Sequence, residues 1–521
     1  MMLCAGRCQF ASGSIFRSSP VIPCYQFGFP LFYDCLDFIP EGMNLSKNFS
    51  AIICVLAAAG SLLGSVVTPQ TAQAQTAPSS ANQQLARDIF RELIEINTTH
   101  QFGSTKAAEA MAARLKAAGF PPSDAQVIGP RPDRGNLVAR LRGSAQAKPV
   151  LFIAHLDVVE ARKEDWSPEF DPFKFTERDG YFYGRGTVDV KDEAALLIAS
   201  LIRLKQEGFI PDRDIIVALT ADEEGGDANG VDWLLENHRE LIDAAYCINT
   251  DAGGGQVERG KRLRYNVQTS EKASLTFRLE VKNPGGHSSQ PVKDNAIYHL
   301  AEGLARLAKF DFPAKLNETT RSFFERMSKR ESGQAASDMK AVAQATPDPA
   351  AAARLSAASP FYNSLMRTTC VATMLDAGHA PNALPQTARA IVNCRVLPED
   401  SQETVIKTLT DVVADNQITV TPLHNIISSP ASPLAQEVIR PLERIVAEMW
   451  PGVPVVPVMD PWATDGLYLR RAGVPVYGAP GVFFDIDPIR AHGKDERVGA
   501  QAFYEGVEFM HRLMRALTSS H

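Results

Sequence analysis

Five short motifs place histidine and acidic side chains where a metal ion could be bound. The candidate ligands are two histidines and three carboxylates, namely His155, Asp189, Glu224, Asp251 and His492. Such a mixed set of nitrogen and oxygen donors suits zinc, and also cobalt or manganese. The residue types therefore predict a metal site with hydrolytic chemistry.

The neighbours of these ligands suggest how the chemistry would be divided. Asp157, two residues after His155 on a predicted strand, shares its face and could fix the imidazole tautomer. The two oxygens of Asp189 could bridge two cations. Of the adjacent Glu223 and Glu224, one could bind metal while the other takes a proton from water.

Each motif alone also has a plainer interpretation. The histidine motif could lie on the surface, Asp189 could cap the following helix, and the paired glutamates could form a solvated turn. Only the complete set favours a metal site over these alternatives.

The elements that must position the motifs alternate between buried strands and amphipathic helices. They read, in order, PVLFIAHLDVV, DEAALLIASLIRLKQEG, DIIVALTADEE, GVDWLLENHREL and AAYCINTDAGGG. This alternation predicts an α/β fold, with a catalytic domain whose mainly parallel sheet is flanked by helices. Ligands of such sheets bind at the carboxyl ends of the strands, where four of the five candidate metal ligands fall.

The pattern changes near residue 270. KASLTFRLEVKN alternates apolar and polar residues, as in a half-solvated antiparallel strand, and a helix, an Ala-rich helical stretch, two strands and another helix follow. We therefore expect an inserted α+β lid or dimerisation domain at 270–429. It divides the catalytic domain into parts at 85–269 and 430–521.

The first 84 residues are expected to lie outside the fold. Residues 1–42 are interpreted as an upstream extension absent from the mature protein, with Met43 as the true start. Residues 43–74 combine Lys47, an apolar run and Ala72-Gln73-Ala74, which predicts a signal peptide cleaved after Ala74 and a secreted or periplasmic protein. A membrane anchor is the alternative, but the run is shorter than the ~20 residues of a span. Residues 75–84 are expected to form a linker.

Composition excludes some functions. The chain has 521 residues and a net charge of −7, so a nucleic-acid partner, which requires a basic surface, is not expected. After Ala74 only Cys247, Cys370 and Cys394 remain, too few for a disulfide framework or a zinc ribbon. Two of these three cysteines could form a disulfide, and the sequence does not decide which two.

The ordered motifs HLDVV, GRGTVDVK, TADEEGG, NTDAGGG, GGHSSQP and AHGKDE resemble a family of di-zinc hydrolases. That family includes glutamate carboxypeptidases, aminoacylases, dipeptidases, Gly-Xaa carboxypeptidases and acetylornithine deacetylases, and the resemblance extends from about residue 85 to the C-terminus. It implies two Zn²⁺ per chain, with Co²⁺ or Mn²⁺ as alternatives. Asp189 would bridge them, with Glu224 and His492 on one ion and His155 and Asp251 on the other.

The resemblance also implies roles for residues that do not bind metal. Glu223 would be the general base and Asp157 would orient His155. In the lid, His287 would stabilise the tetrahedral intermediate, in this family often across a dimer interface, which implies a possible homodimer. Asn382 and Arg395 would hold the substrate carboxylate, and Thr464, with Asp465, would belong to a substrate loop.

The expected activity is metal-dependent hydrolysis of an amide bond next to a free carboxylate. The loop WSPEFDPFKFTERDGYFYGRG resembles the carboxypeptidase branch, which favours a carboxypeptidase acting on short peptides. An N-acyl-amino-acid deacylase of the aminoacylase, deacetylase or desuccinylase type is the alternative, disfavoured by the predicted export. A non-catalytic binding protein is the third interpretation, against which the complete ligand set argues.

Overall fold

The computed structural model describes residues 80–144, 147–486 and 490–519. The predicted upstream extension, the signal peptide and the linker up to residue 79 lie outside the described residues. The first described helix begins at Ala81, inside the predicted linker, where the Ser80 hydroxyl accepts a hydrogen bond from Gln83 N at 3.2 Å. In the described part of the chain, no helix combines the length and apolar character needed to cross a bilayer.

The described helices, numbered in chain order, have the following bounds: α1 (Ala81–Glu95), α2 (Thr105–Ala117), α3 (Lys191–Gln206), α4 (Gly230–Asn237), α5 (Arg239–Ile242), α6 (Ala296–Leu307), α7 (Glu318–Met327), α8 (Gly333–Val342), α9 (Pro349–Ala358), α10 (Pro360–Met366), α11 (Gln402–Val413), α12 (Gln436–Met449), α13 (Gly466–Arg471) and α14 (Ala500–Leu517).

The described strands are β1 (Ala125–Ile128), β2 (Asn136–Leu141), β3 (Ala147–His155), β4 (Thr176–Arg178), β5 (Tyr181–Tyr183), β6 (Arg213–Thr220), β7 (Tyr246–Asn249), β8 (Gly254–Glu258), β9 (Lys261–Glu271), β10 (Ala273–Lys282), β11 (Gly286–His287), β12 (Thr369–Ala377), β13 (Ala383–Leu384), β14 (Thr387–Val396), β15 (Thr419–Pro422), β16 (Val455–Asp460), β17 (Val476–Gly478), β18 (Phe483–Asp485) and β19 (Arg497–Gly499).

The larger sheet has ten strands among the described residues, in the order β1-β2-β6-β3-β7-β17-β9-β8-β18, with β16 also paired to β9. Its centre, from β6 through β3 and β7 to β17, is parallel. Antiparallel pairs lie towards the edges, at β1–β2, β2–β6 and β8–β9. The predicted α/β architecture, with a mainly parallel sheet flanked by helices, is confirmed.

Alternation along the central strands explains why helices cover both faces. In β3, Val150, Phe152 and Ala154 pack into the core that includes α1, α3 and α14. Leu151 and Ile153 point to the opposite face, where they pack with residues of α4 and α13. Because both faces of β3 are buried, its sequence is a continuous apolar run rather than an alternating one.

The lid sheet is smaller and has one covered face. Its strands run in the order β12-β14-β10-β15. Along β10, Leu275, Phe277, Leu279 and Val281 are buried against α6 and α11, whereas the residues between them are exposed or half-buried. This period of two is the pattern expected for a sheet with one solvated face.

The four helices from α7 to α10, inside the predicted lid segment, belong to a different core. Phe323, Phe324 and Met327 of α7 pack against Val456 and Val458 of β16 in the large sheet. The boundary at 270–429 stays a prediction, but this part of the segment packs on the large sheet rather than on the lid sheet.

Strand β12 forms one edge of the lid sheet. Its Val371, Met374 and Leu375 are 60%, 67% and 69% exposed. Cys370 on β12 and Cys394 on β14 face each other across the strands and form a disulfide, while Cys247 is a buried free thiol.

Candidate metal centre and active site

Three neighbouring parallel strands bring their carboxyl ends together at the predicted metal site. His155 is the last residue of β3, which lies between β6 and β7. Glu223 and Glu224 follow β6, and Asp251 follows β7. The side chains are close in space because parallel strands end at the same edge of a sheet.

One ligand group contains His155, Asp189 and Asp251, whose ligand atoms lie within 4.8 Å of one another. The His155 Nε2 atom is 3.0 Å from Asp189 Oδ1 and 3.7 Å from Asp251 Oδ1. All three side chains are buried or half-buried. The group offers one imidazole and two carboxylates to a cation.

The second group contains Asp189, Glu224 and His492. The His492 Nε2 atom is 3.0 Å from Asp189 Oδ2 and 2.8 Å from Glu224 Oε1. Each oxygen of Asp189 therefore faces a different histidine. A carboxylate in this position can bridge two cations, and the donor set of the two groups fits a dinuclear centre.

The electrostatics of the site also favour cations. Burial raises the pKa of Asp251 to about 7. Burial opposes ionisation of Asp189 as well, but hydrogen bonds from the two imidazoles lower the pKa of its carboxyl group well below the usual value. Three carboxylates close together in a buried site repel one another, and a bound cation relieves that repulsion.

Asp157 is held differently from the sequence expectation. The imidazole Nδ1 atom of His155 lies 2.9 Å from the backbone carbonyl of Asp157 and 3.8 Å from its carboxylate. The carboxylate instead accepts hydrogen bonds from the backbone amides of Glu223 at 3.1 Å and Glu224 at 3.0 Å. Asp157 therefore orients the histidine through its main chain and the glutamate pair through its side chain.

Glu223 lies beside the ligands without belonging to either group. It lines the cleft together with Asp251 and Glu224. Burial, with a further contribution from the charge of Asp251, raises the pKa of the Glu223 carboxyl group well above its usual value. A carboxylate in this environment is a good proton acceptor next to a metal site.

A buried ion pair connects the two loops that carry Asp189 and His492. Arg185 Nη1 is 2.6 Å from Glu496 Oε2, and the other oxygen of Glu496 accepts a hydrogen bond from Val188 N at 2.8 Å. Arg185 also donates to the carbonyl of His492 at 3.3 Å. Arg185 and Glu496 were missed as functional residues, although both lie inside quoted motifs, because residues 311 apart in sequence give no sign of pairing.

Three predicted lid residues lie apart from this cluster. His287 is exposed on β11, which pairs with β13. Asn382 immediately precedes β13. Arg395 is half-buried on β14, opposite Ser274 and Thr369. Among the described residues, none of the three lines the cleft that contains the metal ligands. Their predicted roles at the substrate stay predictions.

Thr464 is close to the site but buried behind it. Its hydroxyl donates to Glu271 Oε2 at 3.0 Å and accepts from Asn249 Nδ2 at 3.0 Å. Asp465 accepts from Thr220 and Asn229 at 2.8 and 2.6 Å. The cleft is lined instead by the preceding residues of the loop, Trp462 and Ala463.

The cleft has a volume of about 360 Å³. Apart from the ligands, its walls are mainly apolar and are formed by Val188, Val190, Ala252, Trp462, Ala463, Pro480, Val482, Phe484 and Val498. A dinuclear donor set beside these apolar side chains is suited to hydrolysing a substrate with apolar groups near the reacting bond.

Comparison with known proteins gives a consistent family match. The model of peptidase family M20/M25/M40 matches residues 151–516, more than half of the chain. N-fatty-acyl-amino acid synthase/hydrolase PM20D1 of Xenopus tropicalis is 29% identical over 373 residues, covering 70% of this chain and 72% of that protein. The probable carboxypeptidase S-like 2 of Dictyostelium discoideum is 28% identical over 376 residues, covering 71% of each chain.

A solved structure shares the fold. The M20 family metallo-carboxypeptidase Sso-CP2 from Sulfolobus solfataricus aligns with a TM-score of 0.60 at 16% identity. The alignment covers 83% of this chain and 99% of that one. At this identity the likeness shows the architecture alone.

Proposed function

The chain belongs to peptidase family M20/M25/M40, and on that premise we propose that it hydrolyses an amide bond adjacent to a free carboxylate, as a two-metal carboxypeptidase of short peptides. The observation that carries the proposal is the position of Asp189. Its two oxygens each lie 3.0 Å from a different histidine, and each histidine is accompanied by a further carboxylate. This arrangement supports two cations side by side.

We propose zinc as the metal. His155, Asp189 and Asp251 would hold one ion, and Asp189, Glu224 and His492 the other. One imidazole and two carboxylates per ion leave a coordination position for water or substrate, as catalytic zinc sites require. Cobalt and manganese accept the same donors.

Two bound cations would polarise the scissile carbonyl group and acidify a water molecule. Glu223 takes the proton from the attacking water and returns it to the nitrogen of the leaving amine. Asp157 keeps this base in place, because its carboxylate accepts hydrogen bonds from the amides of Glu223 and Glu224. The apolar side chains that line the cleft would pack against apolar parts of the substrate next to the reacting bond.

The lid supplies the groups for the substrate's carboxylate and for the oxyanion. Arg395 and Asn382 would bind the carboxylate, and His287 would donate to the developing oxyanion. Since none of them lines the cleft of this single chain, the lid must move or a second chain must contribute them.

We further propose a homodimer formed through the lid. Support comes from the edge strand β12, where Val371, Met374 and Leu375 are largely exposed. An apolar edge strand offers unpaired backbone groups to another chain. Light scattering of the wild type and of Met374→Lys tests this proposal, since the charge should shift the protein towards monomer.

Export is proposed from the sequence, through the signal peptide that ends at Ala74. N-terminal sequencing of the mature protein from its native host tests it, and a mature terminus at Met1 would contradict it.

The central experiment combines metal depletion with a substrate screen. Prolonged chelation and dialysis should abolish hydrolysis of dipeptides with a free C-terminal carboxylate, and zinc or cobalt should restore it. Full activity in a sample shown to be metal-free would exclude the mechanism. Absence of both metal binding and hydrolysis would favour the non-catalytic alternative.

N-acyl-amino-acid hydrolysis is the second candidate. The specific observation in its favour is the apolar wall of the cleft, formed in part by Trp462, Val482 and Phe484. The relative PM20D1 is named for N-fatty-acyl-amino acids. N-acyl amino acids belong in the same screen, and a clear preference for them over dipeptides would select this candidate.

A further inference from the structure

The segment Pro461-Trp462-Ala463 contributes Trp462 and Ala463 to the lining of the cleft. Trp462 lines the cleft together with Glu223, Asp251 and His492. Its side chain is 49% exposed, and no aromatic or cationic group of the described chain is found stacked on its ring. An exposed indole beside the metal ligands is a contact surface without a partner within this chain.

The segment is fixed at both ends. Asp460, just before it, is paired in register with Glu271 at the end of β9, and its carbonyl accepts from Lys272 N at 2.9 Å. Thr464, just after it, donates to Glu271 Oε2 through its amide at 2.9 Å and through its hydroxyl at 3.0 Å. One glutamate therefore lies at both ends of a three-residue excursion.

Glu271 is itself held by a buried cation. Arg470 Nη1 is 2.6 Å from Glu271 Oε1, and both side chains are almost completely buried. Arg470 also donates to Gln268 Oε1 at 2.8 Å. The short segment is thus attached to rigid elements, so Trp462 is presented with little conformational freedom to lose on binding.

Other apolar side chains line the same cleft as Trp462. Val482, Phe484 and Val498 line the same cavity. The indole and these side chains leave an apolar space next to the reacting site. Such a space favours a large aromatic or aliphatic group on the substrate over a small one.

We propose that Trp462 is a specificity-determining residue that selects substrates with a large apolar group next to the scissile amide, and that the Glu271–Arg470 pair is the positioning pair for its loop. The proposal rests on the hydrolase function proposed above. The apolar group can come from the acyl side or from the side chain of the amino-acid portion.

A two-by-two substrate set distinguishes these sources. The metal-loaded wild type, Trp462→Ala and Trp462→Phe are assayed with N-acetyl and N-octanoyl derivatives of glycine and phenylalanine. The wild type should favour the large group on one side, and Trp462→Ala should reduce that preference in kcat/KM by about tenfold, the scale of one large apolar contact. Trp462→Phe should keep most of it. Equal slowing of all substrates by Trp462→Ala would overturn the proposal.

A binding measurement separates this inference from the proposed function. The chain has four tryptophans, and Trp166 and Trp450 are buried. In the Glu223→Gln background, large apolar substrates should change the fluorescence of Trp462, and the change should be missing when Trp462→Phe is added. A wild type that hydrolyses neither these compounds nor dipeptides with a free C-terminal carboxylate would refute the hydrolase, whereas an unchanged fluorescence response in the Trp462→Phe protein would refute the specificity role.

The positioning pair is tested by a double-mutant cycle. Glu271→Gln keeps an acceptor for Thr464 but removes the charge that pairs with Arg470, so it should reduce the size preference as Trp462→Ala does. In the double variant the preference should fall no further than with Trp462→Ala alone; multiplied effects would contradict the assignment. Should Glu271→Gln fail to fold, Thr464→Val is a milder substitution for the same test, because it removes the hydroxyl contact with Glu271 but not the amide contact.

Asp214→Asn is the matched control. It removes the charge from the Arg140–Asp214 pair, whose atoms are 2.8 Å apart. Asp214 lies near the amino end of β6, whereas the metal ligands lie at the carboxyl ends of the strands. Its size preference should equal that of the wild type. A reduced preference in this control would show that any lost ion pair has the effect, and the positioning role would fall.

Discussion

The metal-binding edge of the large sheet and the lid sheet hold their polar residues in different ways. At the edge, Asp189, His155 and His492 are within 3.0 Å of their partner ligands, and Asp157 fixes the backbone that carries the glutamate pair. In the lid, His287 is exposed, and its Nδ1 atom accepts a hydrogen bond from the backbone amide of Ser289 and lies 2.7 Å from the Ser289 hydroxyl. One region is preorganised within a single chain, and the other is not.

This difference teaches where each part of the proposed reaction is determined. Metal binding and proton transfer depend on one sheet edge that is complete in the folded monomer. Recognition of the carboxylate, as proposed, would depend on how the lid is oriented or on a second chain. Changes at the edge should therefore remove metal or catalysis, while changes in the lid should alter substrate preference.

The largest effect is expected within the glutamate pair. Glu223→Gln should lower kcat by at least ~10²-fold, typical of a lost general base, with metal content close to that of the wild type. Glu224→Gln should instead lose metal, because Glu224 Oε1 lies in the ligand group of His492. Metal analysis and steady-state kinetics on both proteins give the answer. The reverse pattern would show that the two roles are exchanged.

A smaller effect is expected from the ion pair that joins the two ligand loops. Glu496→Gln leaves Arg185 buried without its charge partner and loosens the loop of His492. Removing such a supporting contact typically costs about 10–100-fold in metal affinity. Competition with a fluorescent chelator measures the change.

Glu508→Gln is the control for that experiment. It alters the more exposed Arg203–Glu508 pair between α3 and α14, 2.9 Å apart. The metal affinity of Glu508→Gln should equal that of the wild type. Equal losses in the two variants would mean that the Arg185–Glu496 pair acts only through general stability.

The sequence indicated which residues meet at the carboxyl ends of the central strands, but it did not indicate how all of the lid segment packs, and the reason is physical. His155 ends one apolar strand, Glu224 and Asp251 lie shortly after the ends of two others, and parallel strands bring their ends together. The alternation in β10 likewise predicted a one-sided sheet. The amphipathic pattern of α7 shows that it packs but not where, and it packs on β16. Spacing also could not show that Thr464 would be buried behind Trp462.

The smallest expected effect concerns Arg395, and it tests the difference between the metal-binding edge and the lid sheet. It is half-buried on β14, and burial lowers the pKa of its guanidinium group. Among the described residues no carboxylate forms an ion pair with it, and its charge, together with burial, lowers the pKa of the nearby Lys272 to about 7. A half-buried guanidinium group without a paired carboxylate should bind an anion favourably.

If that anion is the substrate's carboxylate, amidating it removes a charged hydrogen bond worth about 1.5–3 kcal/mol, so kcat/KM should fall at least ~10-fold. Arg395→Ala should narrow the gap between free acid and amide, because the discriminating cation is gone. Slowing both substrates equally would point to a structural role. Because Arg395 could also stabilise a closed lid, kcat and KM can change together, and the ratio between the two substrates is the cleaner measure. A wild-type enzyme that hydrolyses the amide as fast as the acid would exclude the carboxypeptidase and favour an activity that ignores the free carboxylate.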